Sequence, residues 1–138
     1  GDVHIQTALR LLGEVDIAFV GVGPADFHGP LEEGDNFFSA EQLAAVRAAG
    51  AVGQLHKRFI NANGLSVDTE LDKLVVSITL EQLRHVRRKI AVAGGAAKHT
   101  ALAAALAGKW IDVLVTDVNT ANFLMKHEKC YIASDDHK

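Results

Sequence analysis

The chain has 138 residues, 49% of them hydrophobic and 22% charged, with a formal net charge of −3. That length supports one domain with a packed core, and the mild negative charge supplies no basic field for a nucleic-acid surface. Cys130 is the only cysteine, which excludes an internal disulfide and suits a reducing, cytoplasmic compartment. No apolar run approaches the roughly 20 residues of a membrane span. The start carries no signal-peptide pattern, and no pair among the seven histidines has metal-ligand spacing, so neither metal nor cofactor is expected.

Ile5, Ala8, Leu9 and Leu12 recur at helical spacing, and Gly13 is placed to end that helix. "DIAFVGVG", Asp16 to Gly23, reads as an apolar strand running into glycines, followed by a long polar loop to Phe38. Ser39 with Gln42 has the capping-box pattern and predicts a helix through Ala49, closed by Gly50. "LHKRFI" and "LSVDTE" flank Asn61-Ala62-Asn63-Gly64, an Asn-Gly hairpin signal. "KLVVSI", Lys73 to Ile78, reads as a further strand. Thr79 with Gln82 repeats the capping box and opens a helix through about Arg87, whose basic run Arg84-His85-Val86-Arg87-Arg88-Lys89 reads as a solvated end. Lys89 to Ala93 is then a strand, Gly94-Gly95 a corner, and the alanine-rich segment to Gly108 a helix. "WIDVLVTD" forms a last buried strand and Asn119 to Lys126 a last helix. Residues 1–128 thus make the domain, and 129–138 are a polar tail expected to fray.

Strands and helices in alternation, with near-continuous apolar strands, predict an α/β sandwich on a mostly parallel sheet, the hairpin adding an antiparallel piece. The strands near Asp16–Gly21, Lys89–Ala93 and Asp112–Thr116 are expected to share that sheet. In such folds ligands bind beyond the carboxyl ends of the strands. Three strand ends are therefore candidates: Gly21-Val22-Gly23, Gly94-Gly95, and Thr116-Asp117. Glycines allow backbone N–H groups to approach an anion, a helix N-terminus adds unpaired donors and positive potential, and Lys98 in the following turn supplies a cation. A tight turn with no ligand explains the same glycine pair. Neither a P-loop nor a dinucleotide fingerprint is present. Asp117 is open between capping the last helix and binding a hydroxyl.

The order of motifs resembles the carboxyl-terminal half of the sugar-binding domain of the SorC/DeoR-type bacterial transcriptional regulators. The residues that carry the likeness are "AAGAVGQ" (Ala48 to Gln54), "NANGLSVD", "VAGGAAKHTALAAAL" and "LVTDVNTANFLM", within Ile5 to Met125. The resemblance implies a Rossmann-like α/β sandwich, akin to the ribose-phosphate isomerase, glucosamine-phosphate deaminase and CoA-transferase group. It implies a phosphorylated sugar or related small effector, and homo-oligomers, usually tetramers. DNA would be met only through a helix-turn-helix domain that these residues do not include, nor do they include the first half of the effector domain. By the same likeness Lys98 matches the effector-contacting lysine after the glycine pair, and Gly21 and Gly23 match a glycine loop. Gln54 stands where the family usually has Asp or Glu against sugar hydroxyls, and an amide there is uncharged. Glu32-Glu33 occupies a segment where the family often has arginine. The ligand-binding set is therefore Gly21, Gly23, Gln54, Gly94, Gly95 and Lys98, in a regulator and not an enzyme. A sugar-phosphate isomerase or deaminase, with Lys98 as a Schiff-base lysine, is the rival reading. It rests on fold analogy and finds no paired acid and base. A dimerisation module with a dead pocket is the third.

Overall fold

The structure, a computed structural model, describes residues 2–25 and 38–127. Glu32-Glu33, most of the polar loop before Phe38, and the tail from 128 onward lie outside the described residues. The elements are α1 (Val3–Leu11), β1 (Ile17–Phe19), β2 (Val22–Pro24), α2 (Ala40–Ala48), β3 (Ala51–Leu55), β4 (Arg58–Asn61), α3 (Leu80–His85), β5 (Arg88–Val92), α4 (His99–Ala107), β6 (Val113–Val115) and α5 (Val118–His127). Short 3-10 turns lie at Leu12–Glu14, Glu70–Leu74 and Ala96–Lys98.

The three strands expected to run parallel do so, in the order β1-β5-β6, with Phe19 beside Ile90 and Ile90 beside Val113. A second, antiparallel sheet has the order β2-β3-β4. Alanine-rich α4 packs on β2, β3 and β4 and buries Ala101, Leu102, Ala104 and Ala105. Its small side chains permit close approach: a Cβ at Gly53 would lie 2.8 Å from that of Ala101. Both expected capping boxes are formed. Ser39 Oγ accepts from Gln42 N–H at 3.1 Å while the Gln42 side chain accepts from Ser39 N–H at 2.7 Å. Thr79 and Gln82 repeat this at 3.1 and 3.0 Å.

Several expectations need correction. "DIAFVGVG" is two strands in two sheets. The parallel ladder ends where Val20 N–H donates to Ile90 C=O at 2.7 Å, and the next ladder starts at Val22 beside Leu55. The main hairpin is β3–β4, turning at His56 and Lys57, both left-handed at φ 49° and 69°. The Asn61–Gly64 turn exists, with Asn61 Oδ1 accepting from Asn63 and Leu65 N–H, each at 3.0 Å. It leads into a single bridge, Ile60 with Ser66, in place of a second strand. "KLVVSI" is not a strand either. Thr69 and Asp72 form a third capping box that starts the Glu70–Leu74 turn. The Arg58 guanidinium then takes the carbonyls of Asp72 and Val75 at 2.9 and 3.3 Å, where a ladder would need them. Nor is the basic run wholly solvated. The Arg84 guanidinium stacks 4.1 Å over the Trp110 ring, and Lys89 is buried with Nζ 3.3 Å from Asp112 Oδ2.

Pleating gives the parallel sheet two faces. Ala18, Ala91 and Leu114 point to the core, whereas Ile17, Phe19, Val92, Val113 and Val115 are exposed on the other face. Parallel sheets normally have both faces covered.

Candidate functional site

Strands β5 and β6 end side by side, and their exits form one corner. The two glycines there answer different needs. A Cβ on Gly94 would lie 2.1 Å from Asp117 Oδ2, so only glycine lets the carboxylate come so close. Gly95 meets no such obstacle but has φ 93° and ψ 147°, a conformation that L side chains rarely adopt. Asp117 serves both elements. Its Oδ1 accepts from Thr120 N–H at 2.8 Å, capping α5, and its Oδ2 accepts from Gly95 N–H at 2.8 Å and from the Thr120 hydroxyl at 2.7 Å. Donation from Thr120 N–H, the Thr120 hydroxyl and Gly95 N–H holds the Asp117 carboxyl at about 2, below the usual carboxylate range. It is therefore ionised near neutral pH and accepts hydrogen bonds only.

A cavity of about 450 Å³ opens on this corner, lined by Val92, Ala93, Gly94, Lys98, Val115, Thr116 and Asp117. Thr116 Oγ1 is buried with no hydrogen-bond partner among the described residues. Lys98 sits at the junction of the Ala96–Lys98 turn and α4, partly buried, and its ammonium has no ion pair with another described residue. The cavity thus offers a cation, an obligate acceptor and an apolar wall. The Gly95 N–H is already given to a carboxylate, so an anion would gain from Lys98 and lose beside Asp117.

Gly21, Gly23 and Gln54 come together as well, in a second cavity of about 240 Å³ shared with Val22, His56 and Lys57. Strand β2, whose Val22 and Gly23 line this cavity, packs against the Ala96–Lys98 turn, whose Lys98 lines the first. Gln54 is buried and engaged: its Oε1 accepts from Lys57 N–H at 3.1 Å, and its Nε2 lies 3.5 Å from Pro24 C=O. Gly23 is the platform for that amide, since a Cβ there would lie 3.3 Å from Gln54 Nε2. Burial pushes both the His56 imidazole and the Lys57 ammonium below their ordinary pKa values, the former partly countered by a hydrogen bond to the Phe19 backbone.

A further cavity, about 520 Å³, lies elsewhere, between α3 and the Leu65–Asp72 segment. Its two arginines are committed, Arg58 to Asp72 at 3.0 Å and Arg84 to the Trp110 face. Among the described residues no group of His, Cys, Asp or Glu could hold a metal ion, and no helix is long and apolar enough to cross a membrane.

A family model described as "Putative sugar-binding domain" matches residues 2–126. The chain belongs to this family, the sugar-binding domains of SorC/DeoR-type transcriptional regulators. The sorbitol operon regulator of Klebsiella pneumoniae is 33% identical over 127 residues, covering 89% of this chain and 39% of that protein. Its full-length crystal structure superposes with a TM-score of 0.80 at 30% identity, over 90% of this chain and 40% of that one. A DeoR family transcriptional regulator from Listeria monocytogenes gives a TM-score of 0.81 at 32% identity, over 89% and 49%. The deoxyribonucleoside regulator of Bacillus subtilis is 31% identical over 124 residues, 90% of this chain and 39% of that protein. This sugar-binding domain therefore spans about two fifths of the length of the curated relatives it matches.

Thr120 and His99 belong to the corner and were not singled out in the sequence. The spacing Asp117-x-x-Thr120, a cap with its N3 partner at a strand end, was the available signal.

Proposed function

We propose that this sugar-binding domain takes a phosphorylated sugar at the Gly94–Gly95 corner. The observation that carries the reading is the Lys98 ammonium, without an ion pair among the described residues, facing a cavity whose other charge is the Asp117 carboxylate. A polyol with one anionic end suits that pair. Its phosphate lies toward Lys98 and the β2 side, and its hydroxyls donate to Asp117. Gly21, Gly23 and Gln54 shape the flank, Gln54 as an uncharged wall. Binding, not catalysis, fits Asp117, whose low pKa and occupied oxygens make it a poor acid or base near neutral pH.

In a longer regulator the sugar would favour one oligomer geometry and so shift operator affinity, with DNA contacted through a separate helix-turn-helix domain in the cytoplasm. Titration calorimetry with phosphorylated sugars and their unphosphorylated parents tests the reading. At least one phosphorylated sugar should bind about ten-fold or more tighter than its parent, as loss of a charged contact worth roughly 1.5–3 kcal/mol requires. Equal binding of both, or of neither, overturns it.

The exposed apolar face of β1, β5 and β6 supports homo-oligomer formation, because large apolar patches tend to be covered by association. Light scattering of this chain should show a mass that rises with concentration. A constant monomer mass contradicts the oligomer proposal.

A further inference from the structure

We infer that Thr120 is a positioning residue of the ligand site, its buried hydroxyl holding the Gly94–Gly95 corner in the shape the cavity needs. The inference rests on the ligand reading above and adds to it a residue that touches no ligand. Thr120 is fully buried on the first turn of α5, with 0% exposure. Its hydroxyl meets three elements. Counting protons fixes the direction of each bond. A carboxylate only accepts, so the single hydroxyl proton goes to Asp117 Oδ2 at 2.7 Å. The oxygen then accepts from Gly95 N–H at 3.0 Å. The remaining contact, His99 Nε2 at 3.2 Å, must be a donor, which places the His99 proton on Nε2. His99 opens α4, one residue after Lys98, and its ring is fixed by stacking on Phe123 at 4.2 Å, with Phe123 in turn stacked on His127 at 4.2 Å.

One oxygen therefore ties the exit of β5, the start of α4 and the cap of α5. Gly95 has the freedom of a glycine at φ 93°, and freedom is what a preformed site must remove. Thr120 removes it from beneath, at a fully buried position. Valine has nearly the shape of threonine but no hydroxyl. At this position it would leave His99 Nε2 without an acceptor, Asp117 without one donor, and Gly95 N–H with the carboxylate alone.

The test compares wild type with Thr120→Val, Thr120→Ser and His99→Phe. Three quantities are read by NMR and calorimetry: exchange of the Gly95 amide proton, titration of the Asp117 carboxyl, and affinity for inorganic phosphate. Thr120→Val should speed Gly95 exchange and raise the Asp117 midpoint toward 3.8, because a donor that lowers it is gone. Phosphate affinity should fall about ten-fold, the scale of one lost charged contact in a loosened site. Thr120→Ser should stay within about two-fold of wild type, since it keeps the hydroxyl. His99→Phe keeps the stack and should move exchange in the same direction by less, which provides a result should Thr120→Val fold poorly. Unchanged Gly95 exchange and Asp117 titration in Thr120→Val would overturn the clamp. A loosened clamp with unchanged phosphate affinity would overturn its role at the site. Phosphate that fails to bind wild type counts against the ligand reading, and exchange and titration still judge the clamp.

Discussion

Gly64→Ala is expected to destabilise the domain by about 2–5 kcal/mol, a large part of the roughly 5–15 kcal/mol that holds a typical domain folded. Two costs combine. Gly64 has φ 73°, where a side chain costs about 1–2 kcal/mol. An added Cβ would also lie 2.3 Å from Gly108 N and 2.5 Å from Ala104 C=O, backbone atoms at the end of α4 that cannot swing away. Forcing extra atoms into a packed site costs about 1–3 kcal/mol, occasionally more. Any shift also threatens the bond from Trp110 Nε1 to Gly64 C=O at 2.7 Å, made wholly inside the core. Urea denaturation measures the loss. Gly50→Ala is the control, for Gly50 has φ 94° with open space around it and should show the backbone cost alone. Equal effects of the two substitutions would contradict the close approach of the Gly64 turn to α4.

Gly94→Ala should have the largest effect on ligand affinity. The new Cβ would lie 2.1 Å from Asp117 Oδ2 and 3.2 Å from Thr116 Oγ1. Asp117 is a short side chain held by Thr120 and Gly95, so it can make room only by breaking those bonds. The corner and the cavity wall would both move. Losing two hydrogen bonds to charged groups at roughly 1.5 kcal/mol each corresponds to about a hundred-fold weaker binding of a phosphorylated sugar. Far-ultraviolet circular dichroism should stay close to wild type, because the substitution lies outside the regular elements. Unaltered affinity in a folded Gly94→Ala protein would place the ligand elsewhere.

Local signals carried most of the architecture. Capping boxes at Ser39 and Thr79 need only four consecutive residues, and both helices start where the pattern puts them. The parallel strands were legible as continuous apolar runs, the pattern of a strand covered on both faces, although β1 and β6 leave alternate residues exposed. What failed was decided at long range. His56 and Lys57 carry no turn signature, yet they turn left-handed because Gln54 Oε1 accepts from Lys57 N–H and the Ser77 hydroxyl donates to His56 C=O at 3.0 Å. Val75 and Val76 favour a strand by propensity, and Arg58, distant in sequence, takes the carbonyls that a strand would use. The candidate site divides the same way. Gly94, Gly95 and Lys98 mark a strand-to-helix corner and were readable as such. Thr120 reaches Gly95 only in the folded chain, so its place at the corner had no local trace beyond the Asp117 cap.

We propose Lys98 as the cation of a sugar-phosphate site at this corner. This role is tested most directly by calorimetric titration of one phosphorylated sugar that binds wild type into Lys98→Ala. Affinity should be about ten-fold or more lower, from one charged contact of roughly 1.5–3 kcal/mol, with the urea midpoint unchanged because the ammonium makes no ion pair with another described residue. Equal affinity in the two proteins would contradict it and reduce Gly94–Gly95 to a turn.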